Sequence, residues 1–155
     1  MNNDTRLAVA AHILALLSLA GEGYIKSELL ARSVNTNAVV IRRLMSRLKK
    51  AGLVEVRSGV GGTTLLVPPG KITLLTVYQA VVPKPSACPF YLHQNPNSKC
   101  FVGRNIHGAL EMPFAKVNQA MRDSLASTTI ADIAAFIQTR MASDKQWRED
   151  GGHAA

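Results

Sequence analysis

Hydrophobic and basic residues recur with helical spacing between residues 35 and 54. The apolar positions follow one another at intervals of 3, 4 and 3 residues and so share one face of a helix: Ile41, Leu44, Leu48 and Ala51. Basic residues repeat with the same period on the roughly opposite side: Arg43, Arg47 and Lys50. Polar residues suited to capping a helix start precede the pattern, and Gly52 suits its end. The pattern predicts a helix with one face in a core and a cationic opposite face. A helix that lies in the major groove of DNA requires such a face.

Two further helices are predicted before this basic helix. Mostly apolar residues predict a first helix over residues 4–20, buried on most sides and ended by Gly21 and Gly23. Ser27 is suited to the N-cap of a short helix over residues 27–34, where Glu28 lies in a first turn that favours an anion. A short helix, a tight turn and a longer basic helix together indicate a helix-turn-helix.

After Gly52 the apolar period changes from helical to alternating. Residues 53–58 and 63–67 predict two β-strands, and the glycines between them permit the positive φ angles of a hairpin turn. A hairpin in this place is typical of the wing of a winged helix-turn-helix. We expect Arg57 at its edge, and Thr63 and Thr64 near its tip, to reach phosphates or a minor groove.

The second half of the chain predicts a helix over residues 74–82 capped by Thr73, then an irregular, proline-rich loop over 83–100. A long helix of about 25 residues, roughly 37 Å, follows from Phe101. Its apolar stripe consists of Val102, Ile106, Leu110, Val117, Met121 and Leu125, and Phe114 continues it. Since a small domain does not cover such a stripe alone, we expect a homodimer built on it.

Thr129 and Asp132 resemble a capping box for a last helix that ends near Arg140.

The expected fold is therefore mainly α with a small β-hairpin. It divides into a winged helix-turn-helix DNA-binding domain (residues 1–83), a linker or sensor loop (84–100), dimerisation helices (101–140) and a flexible tail (141–155). Such a chain is long enough for one compact domain with an added dimerisation arm.

Charge favours a polyanionic partner. The formal net charge is +8, of which residues 1–83 carry +6 and residues 84–155 carry +2. A basic N-terminal part favours nucleic acid over a membrane surface, with a solvated cationic face as the alternative. His12 and Ser18 interrupt the most apolar stretch, so we expect no membrane span and a cytoplasmic protein. Two cysteines do not make a disulfide scaffold.

Three segments together resemble one bacterial family. The helix TNAVVIRRL, its exit KKAGLV and the later segment NPNSKC-VG are similar to the Rrf-type (BadM/Rrf) transcriptional regulators, most of all to their cluster-free branch. The resemblance covers residues 5–140 and implies a homodimeric winged helix protein. Such proteins bind near-palindromic DNA operators and usually repress transcription.

The resemblance also bears on a cofactor. Well-known members hold an iron–sulfur cluster through three linker cysteines, whereas here Cys88 and Cys100 match the outer two and Gln94 takes the middle position. We therefore expect no cofactor and no metal. An unusual cluster with another ligand, for which His12 is the candidate in the first helix, stays the alternative, although a histidine on an apolar helix is more often a core residue.

Within the DNA-binding interpretation each residue type has a role. Lysine and arginine neutralise phosphates, whereas Thr36, Asn37 and Val39 at the start of the basic helix are placed to meet base edges. Asparagine pairs with adenine and valine contacts a thymine methyl group, while Arg42 and Arg43 suit guanine or phosphate. The residues predicted to contact DNA are Ser27, Thr36, Asn37, Val39, Arg42, Arg43, Arg47, Arg57 and Thr63.

A second hypothesis concerns sensing. Cys100 lies where the loop meets the long helix, and a helix N-terminus activates a thiol. Oxidation of Cys100, to a sulfenic acid or to a disulfide with Cys88 or with Cys100 of the partner subunit, is therefore expected to alter DNA binding. The alternative is an inert cysteine.

A protein–protein adaptor built on a winged helix is the rival function. An enzyme is not expected, because the chain shows no nucleophile motif and its glycine-rich segment GVGG lies inside a hairpin.

Overall fold

The structure is a computed structural model that describes residues 5–21, 23–57, 61–82 and 90–143. In chain order its elements are α1 (Arg6–Leu19), α2 (Ser27–Val34), α3 (Ala38–Lys50), β1 (Val54–Arg57), β2 (Gly62–Leu65), a 3-10 turn (Pro69–Lys71), α4 (Leu74–Val81), α5 (Phe101–Ser127) and α6 (Ile130–Ser143). The predicted fold class, mainly helical with one small hairpin, is confirmed.

Helix α1 lies at the centre of the core. Its buried residues are small or aliphatic: Ala10, Ala11, Ile13, Leu14, Ala15 and Leu17. His12 is exposed, and its Nε2 lies 3.0 Å from the hydroxyl oxygen of Ser33 on α2. A core position for His12 is therefore wrong, because the ring lies at the outer edge of the α1–α2 contact.

Helices α2 and α3 form the helix-turn-helix. Lys26 occupies the N-cap position of α2 and no side chain caps that helix, so the predicted cap by Ser27 is wrong by one residue. Asn35 turns the chain with a φ of 52°, in the left-handed region that asparagine tolerates. Asn37 caps α3, because its Oδ1 accepts a hydrogen bond of 2.7 Å from the Val39 amide. Gly52, with a φ of 71°, follows the end of α3 as predicted.

The wing is a two-stranded antiparallel hairpin. Its register runs from Val54 opposite Leu65 to Arg57 opposite Gly62. On the other edge of β2, Ile25 and Thr63 exchange backbone hydrogen bonds of 2.9 and 2.8 Å. The connection between α1 and α2 therefore extends the wing by one further extended segment.

A second pairing closes the core at the other end. The Leu74 amide donates to the Thr128 carbonyl (2.9 Å), and the Ile130 amide donates to the Ile72 carbonyl (2.8 Å). Both isoleucines are fully buried, so α6 starts inside the same core cluster as α1. Helix α6 then packs along α1 and extends three residues past its predicted end, to Ser143.

Two predicted helix caps are confirmed. Thr73 Oγ1 accepts a hydrogen bond of 3.1 Å from the Thr76 amide at the start of α4. Thr129 and Asp132 form a reciprocal capping box: the Thr129 amide donates to Asp132 Oδ2 (2.8 Å), and the Asp132 amide donates to Thr129 Oγ1 (3.2 Å).

Helix α5 has 27 residues and continues through Pro113. The linker segment, residues 90–100, runs back along its first half. The rings of Phe90 and Phe114 lie 6.0 Å apart, and His107 Nε2 lies 2.8 Å from the His93 carbonyl oxygen. Asn97 packs so closely on Gly103 that a Cβ there would clash with the Asn97 carbonyl. The linker segment thus covers one face of α5 and leaves another open.

Among the described helices, none is both long enough and apolar enough to cross a membrane.

Candidate nucleic-acid interface

Helix α3 separates an apolar face from a basic one. Its buried residues are Ile41, Leu44, Met45 and Leu48. Ala51, predicted in this stripe, is exposed because the helix ends at Lys50, and Met45 takes the neighbouring core position. On the opposite face Val39, Arg43 and Lys50 are exposed to solvent. The helix therefore presents a mixed apolar and cationic surface outward.

The first turn of α3 contains the candidate base-contacting residues. Val39 and Val40 are 45% and 39% exposed, so both present apolar side chains to solvent. Asn37 is exposed and uses its Oδ1 for the cap, which leaves its Nδ2 donors for another partner, whereas Thr36 is half-buried. Arg42 is exposed, and its Nε donates to the Ala38 carbonyl (3.3 Å), so its side chain lies along this first turn.

Exposed cations lie on both sides of this turn. Residues 23–57 contain eight lysines or arginines and two glutamates, a local charge of +6. Lys26, Ser27 and Arg32 are exposed on α2 or next to it, and Lys49 and Lys50 are exposed at the end of α3. Such a density of cations on α2, α3 and the first strand of the wing creates a positive potential that attracts a polyanion.

The side chain of Arg47 points toward α4. It is half-buried, and its Nη1 donates to the carbonyl oxygen of Val81, the last residue of α4. The guanidinium satisfies a carbonyl at a helix C-terminus, where the dipole favours a cation. Arg47 therefore joins α3 to α4, and its predicted phosphate contact has no support in this geometry.

Of the residues predicted in the wing to contact DNA, Arg57 is exposed and Thr63 is buried. Thr63 is fully buried, because its backbone pairs with both Val56 and Ile25, so its predicted contact with DNA is wrong. Arg57 is exposed at the end of β1, where Tyr24 and Glu55 contact it. Neither contact was predicted, although the spacing of Glu55 and Arg57 on one strand face was visible in the sequence.

The predicted dimerisation residues lie along one side of α5. Val102 and Val117 are 64% and 47% exposed, whereas Ile106, Leu110 and Met121 are half-buried. On the adjacent face the side chain of Asn118 is buried, and its Oδ1 has no hydrogen-bond partner among the described residues. These predicted residues form an apolar strip along α5, and Val102 and Val117 are the two of them that stay exposed.

Of the two cysteines, Cys88 lies outside the described residues. Cys100 is exposed at the N-cap position of α5, and its amide donates to the Asn97 carbonyl (3.1 Å). No group of three or more His, Cys, Asp or Glu side chains in the described part of the chain is placed to hold a metal ion. With two cysteines in the whole sequence, the residues present do not fit a cluster held by three.

Known proteins match this chain over most of its length. Residues 3–135 match the model of the Rrf2 family, described as an iron-dependent transcriptional regulator. YwnA of Bacillus subtilis (strain 168), provisionally named an HTH-type transcriptional regulator, is 46% identical over 130 residues, which cover 84% of this chain and 95% of YwnA.

Solved structures share the architecture. A crystal structure provisionally described as a DNA-binding protein is 43% identical, with a TM-score of 0.65 over 83% of this chain and 97% of its own. CymR, the global cysteine regulator of B. subtilis, shares the fold at 22% identity, with a TM-score of 0.67 over 88% of this chain and 98% of CymR. The chain therefore belongs to the Rrf2 family of transcriptional regulators, which are DNA-binding proteins and not enzymes.

Proposed function

We propose that this chain is a homodimeric, sequence-specific repressor that inserts α3 into the major groove of an operator. The observation that carries the proposal is the first turn of α3, where exposed Asn37 and Val39 precede Arg42 and Arg43 within a local charge of +6. Hydrogen-bonding and apolar side chains are needed to distinguish bases, and cations supply affinity through phosphates.

Each residue of this turn has a role in the proposal. The Nδ2 group of Asn37 donates to adenine, and the methyl groups of Val39 contact a thymine methyl in the major groove. Arg43 points away from the core and pairs with guanine or with a phosphate. Arg42, held along the first turn by its bond to Ala38, reaches the flanking backbone.

The dimer supplies the second half-site. The apolar strip of α5 leaves Val102 and Val117 exposed, and contact with a second copy of the chain buries them. A twofold dimer presents two copies of α3, as a near-palindromic operator requires. Repression follows from the family resemblance, since an occupied operator excludes the polymerase.

Salt-dependent binding tests the DNA interaction. The full-length protein is titrated into a labelled duplex of the region upstream of its own gene at several salt concentrations. We expect a steep loss of affinity with salt, and Arg43→Ala is expected to reduce the slope of log K against log salt by about 0.9, the value for one phosphate. Arg140→Ala, which removes the same charge from α6, is the control. A shallow slope for the wild type would instead identify a protein–protein adaptor.

We propose further that Cys100 makes the regulator responsive to oxidants. The thiol is exposed at the junction between the linker segment and α5, so peroxide can oxidise it to a sulfenic acid, with release of water, and shift the linker segment against α5. Peroxide treatment is expected to change DNA affinity in the wild type and not in Cys100→Ser. An unchanged mass of the peptide containing Cys100 after treatment would refute this role.

A further inference from the structure

Three side chains make a connected cluster on the solvent face of the wing. The Tyr24 hydroxyl donates to Glu55 Oε2 at 2.6 Å, and Arg57 Nε donates to Glu55 Oε1 at 3.5 Å. The guanidinium carbon of Arg57 lies 4.3 Å from the centre of the Tyr24 ring, which is the geometry of a cation–π contact. Arg57 is thus held by both a carboxylate and an aromatic face.

The backbone of the wing explains how these residues meet. Glu55 and Arg57 are two residues apart on β1 and so point to one face of the hairpin, opposite buried Val54. The pairing of Ile25 with Thr63 places Tyr24, its neighbour in sequence, on the same face across β2. Glu55 and Arg57 flank Val56, which pairs with Thr63, and Tyr24 adjoins Ile25, which pairs with Thr63 on its other edge, so the three side chains lie within reach of one another across β2.

The charges within the cluster reinforce its geometry. The hydrogen bond from Tyr24 lowers the pKa of Glu55, so the carboxylate is ionised at neutral pH. The same bond raises the pKa of Tyr24, so the phenol stays a donor. The cluster therefore presents a carboxylate to Arg57 over the whole physiological range.

We propose that Tyr24 and Glu55 are positioning residues that hold Arg57 of the wing ready for a phosphate of the DNA backbone. Arg57 uses Nε for Glu55, its side chain is 60% exposed, and its Nη1 and Nη2 groups have no hydrogen-bond partner among the described residues. Those two groups form the fork that pairs with phosphate oxygens. Because these two contacts restrain its side chain before binding, the arginine loses less side-chain entropy on binding. This inference rests on the proposed DNA-binding function.

A double-mutant comparison tests the positioning role. The full-length dimer is titrated into a labelled mixed-sequence duplex of about 30 base pairs, long enough for two successive major grooves. We compare the wild type, Tyr24→Leu, Arg57→Ala and the double variant at several salt concentrations, with thermal unfolding of each. Tyr24→Phe, which keeps the ring beneath Arg57, is the conservative variant.

Arg57→Ala is expected to reduce the salt slope by about 0.9. Tyr24→Leu is expected to weaken binding about two- to fivefold, the range for an exposed cation–π contact, and Tyr24→Phe to bind more tightly than Tyr24→Leu. The double variant is expected to bind like Arg57→Ala alone, because Tyr24 acts only through the arginine. If Tyr24→Leu does not fold, Tyr24→Phe is compared in both backgrounds.

Two results would overturn the inference: an equal loss from the Tyr24 change with and without Arg57, or an Arg57→Ala variant with wild-type affinity and slope. Both presuppose that the wild type binds the duplex with a steep salt slope. A wild type without that slope would instead refute the proposed function itself, so the two failures are distinguishable.

Discussion

Arg43 and Arg47 stand one turn apart on α3, yet their guanidinium groups have different surroundings. Arg43 lies on the exposed back of the helix, whereas Arg47 reaches the C-terminal carbonyl of α4. At the residue scale, helical position sets the direction of a side chain, and the groups around it then decide whether its charge is paired within the protein or left at the surface. The charge of Arg47 is paired within the protein.

Replacement of Arg47 by alanine is expected to lower the free energy of unfolding by about 1–2 kcal/mol, because the Val81 carbonyl loses a charged donor. Its effect on the salt slope of DNA binding should be small. Arg43→Ala is the matched control and should change stability by less than about 0.5 kcal/mol. Denaturant unfolding of both variants measures the difference, and equal stabilities would contradict this role for Arg47.

The capping box of α6 makes stability depend on pH. Hydrogen bonds from the Thr129 side chain and amide lower the pKa of Asp132 below its ordinary value. The stabilisation is therefore complete above the unfolded pKa, about 3.9, and is lost as the pH falls through the lower folded value. The difference in thermal midpoint between the wild type and Asp132→Asn should shrink as the pH drops below about 4. A constant difference down to strong acid would refute this.

At the scale of elements, the wing depends on one close backbone approach. Gly62 has a φ of 104°, and a Cβ there would lie 2.8 Å from the Ile25 carbonyl oxygen. Without this approach, the segment that contains Ile25 could not pair with β2. The close approach at this glycine therefore holds the segment before α2 against the wing. It thereby sets the position of Arg57 relative to α3.

Gly62→Ala is expected to destabilise the protein by about 3 kcal/mol, since strain at positive φ adds to overpacking against Ile25. Gly21→Ala is the control: its φ is also positive, 69°, but an added Cβ meets no atom within 4 Å. It should cost about 1 kcal/mol. Thermal unfolding of the two variants provides the comparison, and an equal loss would mean that the approach to Ile25 is unimportant.

At the scale of the whole molecule, α5 has two different sides. The linker segment, with Phe90 and His93, lies on one side of its first half, whereas Val102 and Val117 remain exposed on another. A helix of this length, roughly 40 Å, extends beyond what the linker segment covers. The proposed dimer assigns the exposed side to a second copy of the chain.

Val117→Glu is expected to convert the dimer into a monomer, because the substitution places a charge in the proposed apolar contact. Ala115→Glu is the control, since Ala115 is exposed on the other side of the same turn of α5. Sedimentation equilibrium of both variants measures the oligomeric state. A dimeric Val117→Glu variant, or a monomeric wild type, would contradict the proposal.

Much of the fold was predictable because its signals are local. The period of Ile41, Leu44 and Leu48 marked the buried face of α3, and the caps at Asn37, Thr73 and Thr129 marked helix starts. The wrong predictions concern residues whose contacts are made with a segment that is distant in the sequence. No pattern around Thr63 in the sequence indicates that Ile25 pairs with it. The helical period that predicts an exposed Arg43 predicts an exposed Arg47 equally well.

The sequence by itself determined the order and type of the elements, the basic face of α3 and the apolar strip of α5, because each depends on residues a few positions apart. Only the tertiary structure decided that Arg47 binds α4, that Thr63 is buried and that Tyr24 reaches Arg57 across the wing. Those outcomes depend on which segments pack together, and residue periodicity defines a face without specifying what will cover it.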